Sequence, residues 1–173
     1  MSADISWKPS GPTVSRIGDC RRPSFRKTTL ILEKGSCVDF IFSGTPPRGK
    51  LMRVTQGAAF LVAVDVRLGS PTVGKWFGIE SSAANRKLVW APASFARGFC
   101  ALSDDVEVQY LCTGVYNSKA ESAIRWDDPQ IGIEWPPQSK IISEKDRKAQ
   151  TLAEWLASAD ARNFAYAGQT VSA

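Results

Sequence analysis

Val106-Glu107-Val108-Gln109-Tyr110-Leu111-Cys112-Thr113 alternates with a period of two: Val106, Val108 and Tyr110 fall on one face of an extended chain, Glu107 and Gln109 on the other. That pattern reads as a β-strand with one face in a core and one in water. The valine face is expected to line the interior of a β-sandwich or barrel. Tyr110 then has two readings: a core tyrosine whose hydroxyl is satisfied, or, where that interior is a pocket, a candidate for catalysis.

Working outward, short β-branched runs punctuated by turn residues recur from Lys50 onward. Strands are expected over 50–55, 58–67, 75–80, 87–90 and 98–102, with separators at Gly57, Gly69-Ser70-Pro71, Ser81 to Asn85, Ala91-Pro92 and Ser103-Asp104-Asp105. Ser143-x-x-Asp146 resembles a capping box, and the apolar spacing of Leu152, Trp155 and Leu156 extends the expected helix through them. On its own, Asp146 reads as a structural residue of that helix's first turn. Residues 1–49 are different: breakers such as Pro9, Gly11, Pro12, Gly18 and Pro23 interrupt them, and no strand stands out. The expected organisation is an atypical, poorly ordered segment over 1–49, an all-β domain with a short C-terminal helix over 50–160, and a tail over 161–173.

The chain has 173 residues and no histidine. Its length suits one ordinary domain. Without imidazole, a Ser-His-Asp triad, a histidine base and a histidine-ligated metal are excluded, so any chemistry falls to Tyr, Lys, Asp, Glu or Cys. Cys20, Cys37, Cys100 and Cys112 show no CxxC spacing and read as buried thiols. The formal charge of +5 is uneven, with +4 in residues 1–49 and +1 in the rest. Neither a basic helix nor basic-aromatic interleaving accompanies it, so nucleic acid is not an expected partner. No apolar run approaches a bilayer span and the N-terminus lacks a secretory pattern, so the expectation is a cytoplasmic protein without membrane contact.

Several motifs then arrive in a fixed order: Lys50-Leu-Met-Arg-Val54, Phe60-Leu-Val-Ala-Val-Asp65-Val-Arg67, Gly69-Ser-Pro-Thr-Val-Gly-Lys-Trp76, Pro92-Ala-Ser-Phe-Ala-Arg-Gly-Phe99, Trp126-Asp-Asp-Pro-Gln-Ile-Gly-Ile-Glu-Trp135 and Ser143-Glu-Lys-Asp146. Over residues 45 to 156 the chain resembles the dTDP-4-dehydrorhamnose 3,5-epimerase family. The resemblance implies a cupin-like jelly roll, a homodimer, no metal or cofactor, and a dTDP-4-keto-6-deoxy sugar as substrate on the way to dTDP-L-rhamnose. In such enzymes the C4 ketone acidifies the protons on C3 and C5; a base removes one, a cation holds the enolate, and an acid returns a proton to the other face. By residue-by-residue match, Tyr110 is the proton donor, Lys50 the cation beside the enolate oxygen, Glu121 and Lys145 substrate contacts, and Asp146 the carboxylate that orients the catalytic histidine.

The chain departs from the family where the base belongs. An Arg-Gly-Leu-His-Phe-Gln motif is expected about ten residues before Lys50, and Cys37-Val-Asp-Phe-Ile-Phe-Ser43 stands there instead. The family's Phe-Ala-His-Gly-Phe is Phe95-Ala-Arg97-Gly-Phe99, which puts Arg97 among the substrate-binding candidates, and its Tyr-Tyr pair is Val115-Tyr116. The genetic code supplies a reason. When each codon is built from the third base of one residue and the first two of the next, the junctions from Cys37 to Ser43 can spell Arg-Gly-Leu-His-Phe-Gln. The Trp7-Lys8 junction must read Glu, as the family's N-terminal Arg-Gly-Phe-Phe-x-Glu requires. Residues 1 to about 44 thus read as an out-of-frame translation of the family's N-terminal segment. The expected product is an epimerase-like protein with impaired or no activity, and the alternative is a non-catalytic jelly roll that binds a nucleotide sugar or a protein. Cys37, near the lost motif, is a poor substitute base because no basic neighbour activates its thiol.

Overall fold

In the computed structural model, which describes residues 26–43, 48–114, 117, 121–137 and 141–166, the alternating stretch is a strand at the middle of a sheet. One sheet has the order β1 (Arg26–Leu32), β8 (Val106–Cys112), β3 (Lys50–Gln56), β6 (Leu88–Ala91). The other runs β10 (Ile141–Ile142), β2 (Ser36–Ser43), β7 (Phe95–Ala101), β4 (Ala58–Asp65), β5 (Trp76–Ser82), with β9 (Glu121–Ile124) also paired to β2. Two mainly antiparallel sheets laid face to face make the expected all-β sandwich of jelly-roll type.

The period of two explains how the sheets meet. Val106 and Val108 of β8, Met52 and Val54 of β3, and Ala59, Leu61, Phe99 and Ala101 of β4 and β7 form one buried cluster between the sheets. The opposite face of β4, through Val62 and Val64, joins Phe42, Ala96, Trp155 and Phe164 in a second cluster. Both faces of β4 are therefore buried, which is why Phe60-Leu-Val-Ala-Val is a continuous apolar run rather than an alternating one. Between β3 and β4 the chain reverses at Gly57 with φ of 70°, where an added Cβ would stand 2.5 Å from Ser103 Oγ.

Three features differ from the sequence pattern. No strand is expected before Lys50, yet β1 pairs along its length with β8 and β2 pairs with β7 and β9. In β1 the alternation is present but short, with Leu30 and Leu32 packed on the core and Ile31 78% exposed. The expected single helix over 143–156 is broken into α1 (Glu144–Arg147) and α2 (Leu152–Ala157). Gln150 is drawn into a bridge with Ile124, its carbonyl accepting from Arg125 N, and Thr151 then caps α2 in a full capping box with Glu154. Asp128, 2% exposed, anchors α2 by accepting from Leu152 N at 2.7 Å. Finally, the core runs past residue 160: a 3-10 turn over Asp160–Phe164 buries Ala161 and Phe164. The Phe42, Trp155 and Phe164 rings meet edge to face at centroid distances of 4.6 to 5.4 Å.

The loop after β4 is held by Asp65, 1% exposed. Its oxygens accept from Arg67 Nε at 2.8 Å and Nη2 at 2.7 Å, Ser70 Oγ at 2.6 Å and Thr72 Oγ1 at 2.7 Å. Burial alone raises a carboxyl pKa, but these donors outweigh it and bring Asp65 down to about 2.

Candidate active site

The interior face of the β1-β8-β3-β6 sheet changes character along its length. At one end it carries Leu32, Val106, Val108 and Val54. Toward the other, register sets Thr28 and Met52 on either side of Tyr110, and Lys50 opposite Cys112. Lys50 Nζ stands 4.8 Å from the centroid of the Tyr110 ring, over its face. From the facing sheet comes Arg97 of β7, which shares its register row with Ala63 of β4. Arg97 is 4% exposed and crosses to donate from Nη1 to the Arg48 carbonyl at 3.1 Å. Arg48, 3% exposed, lies two residues before Lys50, and its Nη2 is 3.7 Å from Glu121 Oε1 at the start of β9. One end of the sandwich interior is thus polar and cationic, while the rest is apolar.

Burial sets the electrostatics. It lowers the Lys50 ammonium to about 8, and the Arg97 and Arg48 cations act in the same direction. Arg97 is likewise brought down to about 10, chiefly by burial, with Arg48 adding to it and Cys112, Glu121 and Tyr110 opposing. Burial raises the Tyr110 phenol above its ordinary value, against a hydrogen bond with Thr28 that lowers it. At neutral pH the site therefore presents a protonated phenol and three cations. Such a group can hold an oxyanion and deliver a proton to carbon. Among the described residues no three His, Cys, Asp or Glu side chains stand together as metal ligands would.

Four of the residues singled out in the sequence meet here: Lys50, Tyr110, Arg97 and Glu121. Arg48 joins them without a motif of its own, its spacing of two from Lys50 putting both on one face of an extended chain. Asp146 lies in α1, which follows β10; it is 7% exposed, and its backbone N–H donates to Ser143 Oγ at 3.2 Å. Lys145 neighbours it in α1, and its side chain lies outside the described residues, as do residues 1–25 and Val115-Tyr116. Cys37 is seated against Cys100, Sγ to Sγ 2.7 Å, with the two paired across β2 and β7.

The profile of the dTDP-4-dehydrorhamnose 3,5-epimerase family matches residues 40–154. Over 108 residues the chain is 51% identical to the dTDP-4-dehydrorhamnose 3,5-epimerase of Neisseria gonorrhoeae, covering 62% of this chain and 33% of that protein. Over 116 residues it is 48% identical to that of Methanothermobacter thermautotrophicus, covering 65% of this chain and 63% of that protein. The matched stretch thus spans less than two thirds of the length of either relative. Among solved structures, a dTDP-6-deoxy-D-glucose-3,5-epimerase of Legionella pneumophila in complex with dTDP-4-keto-L-rhamnose is similar with a TM-score of 0.75, at 36% identity over 81% of this chain and 74% of that one. With its two-sheet architecture and this match across residues 40–154, the chain belongs to the dTDP-4-dehydrorhamnose 3,5-epimerase family.

Proposed function

We propose that this chain takes a dTDP-linked 4-keto-6-deoxy sugar at the polar end of the sandwich and epimerises it slowly or not at all, because the proton-removing base is missing. The observation that carries this reading is the Lys50 ammonium over the Tyr110 ring in a chain without histidine. In the reaction the C4 ketone becomes an enolate when a proton leaves C3 or C5. Lys50, with Arg97 beside it, is suited to hold the enolate oxygen, and Tyr110 to return a proton to the carbon. Removal of the first proton has no assigned residue, and loss of a general base alone lowers a rate by roughly 10²- to 10⁴-fold. Asp146 likewise has no histidine to orient, and Lys145 remains a substrate-contact candidate on the family match.

The out-of-frame reading of residues 1 to about 44 is part of this proposal. It is supported by a family profile that takes up at residue 40, within a few residues of the return to frame. A cytoplasmic setting and the family's homodimer complete the reading. Among the described residues no helix is long and apolar enough to cross a membrane.

The test uses the full chain in heavy water with dTDP-4-keto-6-deoxy-D-glucose, following deuterium at C3 and C5 by NMR, with dTDP binding read by thermal shift. The expected result is stabilisation by dTDP together with exchange at least about a hundredfold slower than a histidine-bearing relative. Exchange at the relative's rate overturns the impairment; absence of any dTDP-dependent stabilisation overturns the substrate class.

A further inference from the structure

We propose that Arg97 makes this site a receptor for a nucleotide sugar that carries a carboxylate on its hexose ring. The inference rests on the functional reading above for the dTDP handle and for where the sugar ring lies, and departs from it at C6, where a carboxylate binds more tightly than the methyl of a 6-deoxy sugar. Arg97 is 4% exposed and spends one nitrogen, Nη1, on the Arg48 carbonyl at 3.1 Å. Among the described residues its Nε and Nη2 have no hydrogen-bond partner. These are not two arbitrary nitrogens. They share one edge of the planar guanidinium, along which two N–H bonds run parallel at the spacing of two carboxylate oxygens.

Buried donors left unmade are costly, which favours a ligand that completes them. The row-mate of Arg97 on β4 is Ala63, whose single methyl supplies no acceptor. Glu121, the acidic member of the group, reaches the Arg48 guanidinium at 3.7 Å. The family places a histidine where Arg97 stands. An imidazole offers one N–H in a given direction, while the guanidinium offers a fork and a permanent charge. Because Arg97 acts electrostatically on both Lys50 and Tyr110, we assign the fork to the sugar ring rather than to the diphosphate.

Calorimetric titration of the full chain with dTDP, dTDP-glucose and dTDP-glucuronate tests this, with Arg97→His and Arg97→Lys alongside. The expected result is that dTDP-glucuronate binds roughly tenfold or more tighter than dTDP-glucose, the range of a bidentate charge-assisted pair. Arg97→His should abolish that difference and Arg97→Lys, which keeps the charge without the fork, should retain only part of it. Equal affinity for the two sugars in the unchanged protein overturns the inference while leaving the family ligand in place, and needs no variant to fold. Equal weakening of dTDP and dTDP-glucuronate by Arg97→His also overturns it, assigning the fork to the diphosphate. If none of the three binds, the functional reading fails and this inference with it.

Discussion

Lys50 and Tyr110 sit on adjacent strands two register rows apart, on the same face, with the ammonium 4.8 Å from the ring centroid and the phenol tied to Thr28 on the far side. The ring face is an electrostatic partner for the cation, but a weaker one than a carboxylate. Arg97 and Arg48 add repulsion. The lysine is thus under-compensated by its protein neighbours.

That imbalance has a measurable sign. The Lys50 pKa falls from 10.5 unfolded to about 8 folded, so between those values the unfolded chain binds more protons and stability rises with pH through that window. Below pH 8 the full cost of the buried ammonium is present. Lys50→Met is therefore expected to stabilise the protein at pH 7 by about 1–2 kcal/mol. It should also remove this part of the rise between pH 8 and 10.5. Urea denaturation of both proteins at several pH values checks this; a destabilised Lys50→Met protein at pH 7 contradicts it.

Asp65 behaves oppositely. Burial alone would raise its carboxyl, but bonds from Arg67, Ser70 and Thr72 lower it to about 2, so it contributes stability above the unfolded value of 3.8, and that contribution is lost as pH falls toward 2. Asp65→Asn is expected to cost about 2–4 kcal/mol at pH 7, since it leaves the Arg67 guanidinium without its carboxylate. The variant should also lose the corresponding part of the acid destabilisation between pH 4 and 2. Denaturation midpoints across that range supply the measurement.

How far the sequence discloses the molecule depends on the source of each signal. The alternation of β8 and the two-sided apolar run of β4 are direct consequences of burial, so both strands are legible. The strands β1 and β2 are not. Their pattern is weak, and what makes them strands is the pairing that β8, β7 and β9 offer them. The break between α1 and α2 arises from the Gln150 to Ile124 bridge, a contact across 26 positions that no local spacing encodes. At the site, Tyr110, Lys50, Arg97 and Glu121 come from motifs, whereas the role of Arg48 emerges only when β7 sends Arg97 to its carbonyl.

The segment after residue 160, which reads as a tail, gives a packing prediction. Phe164 is 1% exposed and lies edge to face with Phe42 and Trp155, whereas Tyr166 is 38% exposed. Phe164→Ala is expected to cost about 3–5 kcal/mol and Tyr166→Ala under about 1 kcal/mol, read from thermal or urea unfolding. Similar small effects from both would mean that the last turn contributes little to the core.

The last prediction concerns the missing base. Ile41 is the β2 residue in register with Arg97, and it falls in the stretch 37–43 where the family's histidine motif is expected. An imidazole introduced by Ile41→His would enter β2 in register with Arg97, one of the three cations Lys50, Arg97 and Arg48. Those cations disfavour the imidazolium and so keep the ring neutral, the form a base requires. Ile41→His is therefore expected to raise deuterium exchange at C3 or C5 of dTDP-4-keto-6-deoxy-D-glucose by at least about tenfold over the unchanged chain, short of the roughly 10²- to 10⁴-fold of an evolved base. The rate should climb with pH through a value below about 6.5 and then level off. Ile31→His, on the 78% exposed side of β1, is the control that should gain nothing. A gain at Ile31 equal to that at Ile41 would mean that the exchange is adventitious imidazole catalysis. No gain at Ile41 in a protein that still binds dTDP would mean that the impairment lies beyond the absent base.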